Sequence, residues 1–301
     1  MNIGICIKGL EDIAAEEVNG KTIASGRVGF EGDVKDFKSL KLVYSLEDEF
    51  KFKGKLEIIR KIAKKLDFKG SFMIMCEREG KHKFNSGWII SELNEKLKNK
   101  DKKIDYKNPE HTIFVDIIDK KCLFGFLIKK DMYKRSYRVK LRGATVYPCV
   151  AYSMLKLIDY KQEESFLDPR CSDGVIVIEA ALFGGKSVNG IDRNIRDTRI
   201  NAKIAKVNIN LHEGDFDLIK EFKNIDKIAT YLPSVSKTKG ESMISGIYRK
   251  FLSNTKKVLN GKMAILVEKA ELIKELSESF KLIEERKIFI GDSEQFILIF
   301  E

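Results

Sequence analysis

Three aspartates in phase constrain this chain more than any other feature. Asp168, Asp192 and Asp215 lie 24 and 23 residues apart, each at the end of a short stretch with strand character. That spacing is about the length of one strand–helix unit. Around them the texture is regular. A helix is predicted over 146–158, and strands at 165–168, 187–191, 211–213, 226–230 and 263–268, with helices between them. The end, KLIEERKIFIGDSEQFILIFE, reads as two strands turned at Gly291-Asp292. Residues 143–301 therefore predict a doubly wound, mostly parallel sheet closed by an antiparallel hairpin. In such a sheet the ligand sits over the carboxyl ends of the strands. Asp192 is placed to accept from ribose hydroxyls, and Asp215 to reach an adenine edge. One strand-end Asp is equally well a helix cap. Three in register point to a nucleoside-type ligand, or to its relic.

The first half has a different texture. IGICI reads as a short buried strand, followed by a helix with Leu10, Ile13, Ala14 and Val18 on one stripe, stopped at Gly20. Alternating stretches follow at 21–30 and 40–46. A lysine-laced helix is expected over 55–66, a strand over 71–77, a helix near 86–98 and a lysine-rich turn. Strands at 112–118 and 121–128 complete this α+β half. The Lys/Arg-dense segment 129–142 has no helical or strand period and is expected to be an extended connector. Residues 1–140 carry 31 basic and 22 acidic side chains, a balance of +9; the remainder carries only +2. A basic half joined to a near-neutral one suits a polyanion-binding module beside something else. The competing reading is a merely solvated lysine surface. Two glutamines among many Lys and Glu also hint at a hot habitat, which raises lysine content by itself.

Several classes are excluded. At 301 residues with 43% apolar side chains the chain has enough for two or three cores, and wholesale disorder is ruled out. No apolar run reaches the roughly 18 residues of a membrane helix, and the opening lacks a secretory pattern. The cysteines are five, scattered, and without a C-x-x-C pair. A disulfide framework and a zinc site are not expected, and a reducing cytoplasm is the expected compartment.

The motifs carry a resemblance. FLDPRCSDGVIVIEAAL is similar to the pattern D-P-x-C-G-S-G-T-x-x-I-E-A-A of the THUMP-containing RNA methyltransferases, of the tRNA guanine-N2 type. GIDRNIRDTRINAKIAKVN and HEGDFD resemble their second and third motifs, and DKIATYLPSVS lines up with D-x-I-x-T-N-P-P-Y-G. RGATVYPCVAYSMLKL resembles the lead-in R-x-x-A-P-L-x-x-x-L-A-A-A-M-L. GICIKGLEDIAAEEV resembles the ferredoxin-like opening that precedes THUMP modules, and CEREGKHKFNS, NPEHTIFVDI and YKRSYR resemble the THUMP core and its exit. The resemblance implies a ferredoxin-like subdomain (1–54), a THUMP domain (55–130), a basic linker (131–142) and a Rossmann-like class I methyltransferase domain (143–301). It implies S-adenosylmethionine as cofactor, held by Asp168, Pro169, Ser172, Gly174, Asp192, Arg193, Asp215 and Phe216. It implies RNA contacts from Arg78, Lys81, His82, Lys83, Asn85 and Ser86, and from Lys134, Arg135, Arg138 and Arg142 on backbone phosphates. His82 is also readable as a turn histidine, and the 134–142 cations as a solvated linker. Phe84, Trp88 and Cys171 are expected in packing, and Glu179 in the helix after the first motif.

Two departures stand out. G-S-G-T reads Ser172-Asp173-Gly174-Val175, placing a carboxylate in a loop that should meet the anionic end of the cofactor, at a cost of about 1–3 kcal/mol. N-P-P-Y reads Tyr231-Leu232-Pro233-Ser234, so the catalytic positions Tyr231, Pro233 and Ser234 lack the Asn amide acceptor and the usual stacking ring. Loss of one positioned hydrogen bond costs on the order of 100-fold in rate. Three readings follow: an RNA-binding relative, with tRNA as the expected RNA and the cofactor weakened or lost; an active methyltransferase on an exocyclic base amino group; and a protein–protein scaffold. A protein partner, such as an active enzyme, accompanies the first.

Overall fold

The computed structural model describes residues 1–143, 145–236 and 238–301. Ala144, in the lead-in, and Lys237, after the fourth motif, lie outside the described residues. The chain opens with β1 (Asn2–Cys6), α1 (Glu11–Val18), β2 (Lys21–Ala24), β3 (Arg27–Phe30) and β4 (Leu40–Lys51). Helix α1 buries Ile13, Ala14 and Val18 as their spacing predicts, but Asn19, at φ 51°, takes the left-handed cap one residue before the expected Gly20. Asn enters that region more readily than most side chains.

The next unit comprises α2 (Lys55–Lys65), β5 (Gly70–Glu79), α3 (Ser86–Leu97), β6 (Lys102–Ile104), β7 (His111–Ile118) and β8 (Lys121–Lys129). Ile58, Ile59 and Ile62 form the buried face of α2. Asn85 starts α3 by accepting from the Trp88 amide, and Ile89, Leu93 and Leu97 recur on its inner face. Strand β6 replaces part of the expected lysine-rich turn, pairing in parallel with β5. Three residues with two lysines carry no alternation to announce it. Strand β4 runs beyond the predicted 40–46, pairing with β1 on one side and β8 on the other. The units expected at 1–54 and 55–130 therefore share one eight-stranded sheet, ordered β2-β3-β1-β4-β8-β7-β5-β6.

A charged network ties its two halves together. Arg27 on β3 makes a two-pronged contact with the fully buried Asp116 on β7, at 2.7 and 3.0 Å. Its third nitrogen donates to Glu79 at 2.8 Å, and Lys8 meets the other oxygen of Glu79 at 2.8 Å. The Tyr44 hydroxyl lies 3.3 Å from Asp116. The planar guanidinium suits two carboxylates at once.

The second sheet contains β9 (Ser165–Asp168), β10 (Ser187–Asp192), β11 (Asn210–Glu213), β12 (Ile225–Tyr231), β13 (Leu259–Val267), β14 (Leu282–Ile290) and β15 (Ser293–Phe300). Its order is β11-β10-β9-β12-β13-β15-β14. The first five strands run in parallel and β15 is antiparallel to its neighbours, as the hairpin at Gly291-Asp292 predicts. Helices α4 (Pro148–Leu157), α5 (Val175–Leu182), α6 (Arg196–Ala205), α7 (Glu241–Thr255) and α8 (Glu271–Leu276), with a 3₁₀ turn at Phe216–Glu221, fill the connections. No helix among the described residues is long and apolar enough to cross a membrane.

The two sheets are joined by packing. Ile7 and Leu10 of the first unit belong to one buried cluster with Val150, Met154, Val175 and Ile288 of the last. The Phe289 amide donates to the Lys8 carbonyl at 3.1 Å, and Arg286 grips Asp12 through two nitrogens at 2.5 and 2.7 Å. Within 130–143 the chain turns at Met132–Tyr133 and Ser136–Tyr137 and touches both units: the Met132 amide donates to the Lys41 carbonyl, and the Lys140 amide to Asn201 Oδ1, both at 2.9 Å. Tyr137, from this stretch, sits in the same cluster, and its hydroxyl donates to Glu179 at 2.8 Å.

Candidate functional site at the carboxyl edge of the second sheet

Strand β9 ends at Asp168, and the loop 169–174 turns the chain into α5. Pro169 is buried beneath it. Ser172, where the related pattern has glycine, is held at φ 54°, and the retained Gly174 at φ 92°. The left-handed region costs a serine about 1–2 kcal/mol. A Cβ on Gly174 would lie 2.6 Å from Thr198 Cγ2, so only glycine fits there.

The Asp173 carboxylate does not project freely toward the cleft, as the motif alone suggested. It is 1% exposed and accepts from the Thr145 hydroxyl at 2.7 and 2.8 Å, with Arg138 at 3.5 Å. Thr145 follows the alanine of the lead-in, where the A-P-L pattern has proline. Two departures from one motif set thus meet each other in space.

Asp168 is also buried and accepts from the Arg170 amide at 3.0 Å. Burial away from water pushes its carboxyl up to about 7, and the nearby Asp192 adds to the rise. In the unfolded chain this group ionises near 4. Between those values the folded state holds the proton more tightly, so this group's contribution to stability is fully present below pH 4 and is lost as pH rises through 7. We expect Asp168→Asn to abolish about 2–4 kcal/mol of that decline, read by denaturant unfolding at pH 5 and pH 8. An unchanged slope would refute the assignment.

Asp192 stands two residues beyond the level of Asp168 in the register. One oxygen accepts from the Ser172 amide at 3.0 Å; the other accepts from the Asn194 amide and Arg142, both at 3.1 Å. Arg142 also reaches Asp197 at 2.9 Å and the Asn194 carbonyl at 2.6 Å. Asp215 caps the 3₁₀ turn through the Asp217 amide, pairs with Lys250 at 3.2 Å, and lies 3.4 Å from Arg193. That amide and then Lys250 hold its carboxyl below the usual range. Phe216 is buried against Phe251, ring centres 5.4 Å apart.

The fourth motif is equally committed. The Tyr231 carbonyl accepts from Arg170 at 2.9 Å, and its hydroxyl donates to Glu268 at 3.0 Å. Leu232 is fully buried, and the Pro233 carbonyl accepts from the Tyr248 hydroxyl at 2.7 Å. The Ser234 hydroxyl accepts from the Glu268 amide at 3.2 Å. Between this turn and the 170–173 loop, lined also by Thr145 and Val146, lies a cavity of about 10 Å³. That is room for about one water molecule. Thr145, Arg170, Lys250 and Glu268 were not singled out by sequence; their partners lie far along the chain.

The expected RNA-facing residues divide. Lys81 and Lys83 are exposed on the loop before α3, and Lys134 is exposed beside Asp131. His82 is a turn histidine. Its ring packs against Phe52 and Phe84, Arg78 donates to Nδ1 at 3.0 Å, and Nε2 faces the Asp119 carbonyl. Asn85 is spent as the α3 cap, and Ser86 is the first residue of that helix. Phe84 and Trp88 pack against the core beneath, as expected. Arg135, Arg138 and Arg142, expected on backbone phosphates, each pair with a carboxylate of the chain. Arg135 meets Glu179 at 2.9 Å and the Lys38 carbonyl at 3.0 Å. Low exposure and paired carboxylates leave these three little to offer a polyanion. Cys171 is buried against Thr198, and Glu179 lies inside α5.

A seven-stranded sheet with one antiparallel strand, acid-ended first strands and a glycine turn into the first helix defines a methyltransferase-fold domain, here preceded by a THUMP module. Residues 135–295 match the RMKL-like, methyltransferase domain family, and residues 56–126 match the THUMP domain. The chain belongs to the RMKL-like methyltransferase domain family. A tRNA (guanine(6)-N2)-methyltransferase of Archaeoglobus fulgidus is 31% identical over 202 residues, 58% of this chain and 51% of that protein. One of Methanocaldococcus jannaschii is 27% identical over 254 residues, 67% of each chain. The match thus spans about half the length of the first relative. TrmN from Thermus thermophilus shares the fold over 100% of this chain and 98% of its own, with a TM-score of 0.83 at 22% identity. SMU.472, solved as a complex with SAH, superposes with a TM-score of 0.80 at 15% identity, covering 99% and 97%.

Proposed function

We propose that the chain binds structured RNA, tRNA foremost, through its THUMP module, and that its methyltransferase-fold domain serves binding rather than turnover. The observation that carries this reading is the fourth-motif turn. Its carbonyls at Tyr231 and Pro233 already accept from Arg170 and Tyr248, and Tyr231 stands where the related motif has Asn. An exocyclic amino group placed there would lack the Asn amide that aims its lone pair in the related motif.

Two features support a weakened hold on S-adenosylmethionine. The cavity beside Asp168 and Asp173 has room for about one water, and Asp192 and Asp215 are engaged by Arg142 and Lys250. The names of the Archaeoglobus and Methanocaldococcus relatives favour a second reading, retained transfer to a guanine amino group, reached by opening this loop.

One experiment addresses both. Unfractionated tRNA is titrated across a salt series, then incubated at stoichiometric protein with tritium-labelled S-adenosylmethionine. We expect an affinity that falls steeply with salt, because phosphate contacts release counterions, and no tritium above background. Absent RNA binding would overturn the first part of the reading; protein-dependent methylation would overturn the second.

A further inference from the structure

The second domain is nearly neutral in total, yet one helix is not. Arg196, Arg199, Lys203 and Lys206 recur along α6 and its cap at spacings of three and four, which places them on one face. All four are exposed, and none makes an ion pair among the described residues. This contrasts with Arg135, Arg138 and Arg142, whose charges are spent inside the protein. The exposed Arg193 continues the row toward Asp192 at the carboxyl edge.

Beside the row lies an open groove of about 720 Å³ between α6 and the edge strand β11. Arg199 and Lys203 form one wall; Asn208, Asn210 and His212 form the other, over Leu211. The wall residues offer amide donors and acceptors and an imidazole edge. Unpaired cations opposite amides are a poor seat for an apolar protein face. They match a sugar–phosphate backbone, where cations meet phosphates and amides reach sugars and base edges. Ten residues of helix span about 15 Å, which at roughly 3.4 Å of strand per phosphate covers about four nucleotides.

We propose that the α6 face and its groove form a second RNA-backbone track, holding a strand that leaves the carboxyl edge of the sheet. The inference rests on the RNA-binding reading above and adds to it a contact surface outside the THUMP module. The row begins beside Asp192 at the carboxyl edge of the sheet, so a strand leaving that edge would run its phosphates down the helix.

The test is the double variant Arg199→Glu/Lys203→Glu in the full chain, with Lys257→Glu/Lys281→Glu as a control at other exposed positions. Unfractionated tRNA is titrated against each at several salt concentrations, with thermal melts to show that folding is unchanged. The expected result is at least ten-fold weaker binding for the α6 variant, with a salt slope shallower by about two, and a control within two-fold of wild type. If wild type binds tRNA and the α6 variant binds it equally with the same slope, the track is overturned while the THUMP reading stands. If wild type shows no salt-dependent tRNA affinity, the RNA reading falls and this inference with it.

Discussion

Arg27→Met should lower the stability of the chain by about 3–5 kcal/mol, measured by denaturant unfolding near pH 8. Asp116 is fully buried, and Arg27 supplies both of its closest donors. Removing the cation leaves an unpaired carboxylate in a medium that solvates it poorly. The neighbouring Tyr44 hydroxyl at 3.3 Å is a weak replacement. In the intact protein Asp116 and then Glu79 outweigh burial and drive the Arg27 guanidinium to hold its proton more tightly than usual. Arg27→Met combined with Asp116→Leu should recover much of the loss, because both charges are gone. A single variant as stable as wild type would show that the network contributes nothing. The effect should extend beyond the N-terminal sheet edge, since Arg27 and Asp116 lie on strands from different halves of the sheet.

Gly9→Val should be about as damaging, by on the order of 4 kcal/mol or by undocking the two domains. Gly9 sits at φ 94°, and a Cβ built there would lie 2.1 Å from the Lys287 carbonyl oxygen. The first cause is the left-handed backbone, which a β-branched side chain adopts at high cost. The second is a collision with backbone that no side-chain rotation relieves. The contact is where the N-terminal unit meets the last hairpin, beside the Phe289–Lys8 hydrogen bond and the Arg286–Asp12 pair. Limited proteolysis should cut the variant near 130–147 faster than wild type, and its melt should broaden or split. A single sharp melt at the wild-type temperature would sink the prediction. If RNA is held jointly by the THUMP module and α6, the same variant should also weaken tRNA binding.

The second sheet was legible in the sequence almost strand by strand. Short apolar runs such as SFLD bury on both faces and need few residues to show it. The first sheet was less legible. Strand β4 continues past Leu46 with charged, half-exposed residues, and β6 is three residues at an edge. Neither carries a pattern that outweighs its polarity. At the candidate site, Asp173 and Tyr231 were recognisable as departures, because a motif fixes what should stand beside them. Their partners were not: Thr145 and Arg138 come from the connector, and Arg170 and Glu268 from opposite sides of the cleft.

Local spacing and hydrophobicity alone determined the order of elements and the carboxyl edge where the acids gather. Those are properties of neighbouring residues, and neighbouring residues are what a sequence records. The tertiary structure alone decided which charges are spent and which remain. Arg135, Arg138 and Arg142 are consumed by Glu179, Asp173 and Asp192, while the cations of α6 face solvent without partners among the described residues. The energy of a charge depends on what lies within a few ångströms and on how much water is excluded, and folding sets both by bringing distant segments together.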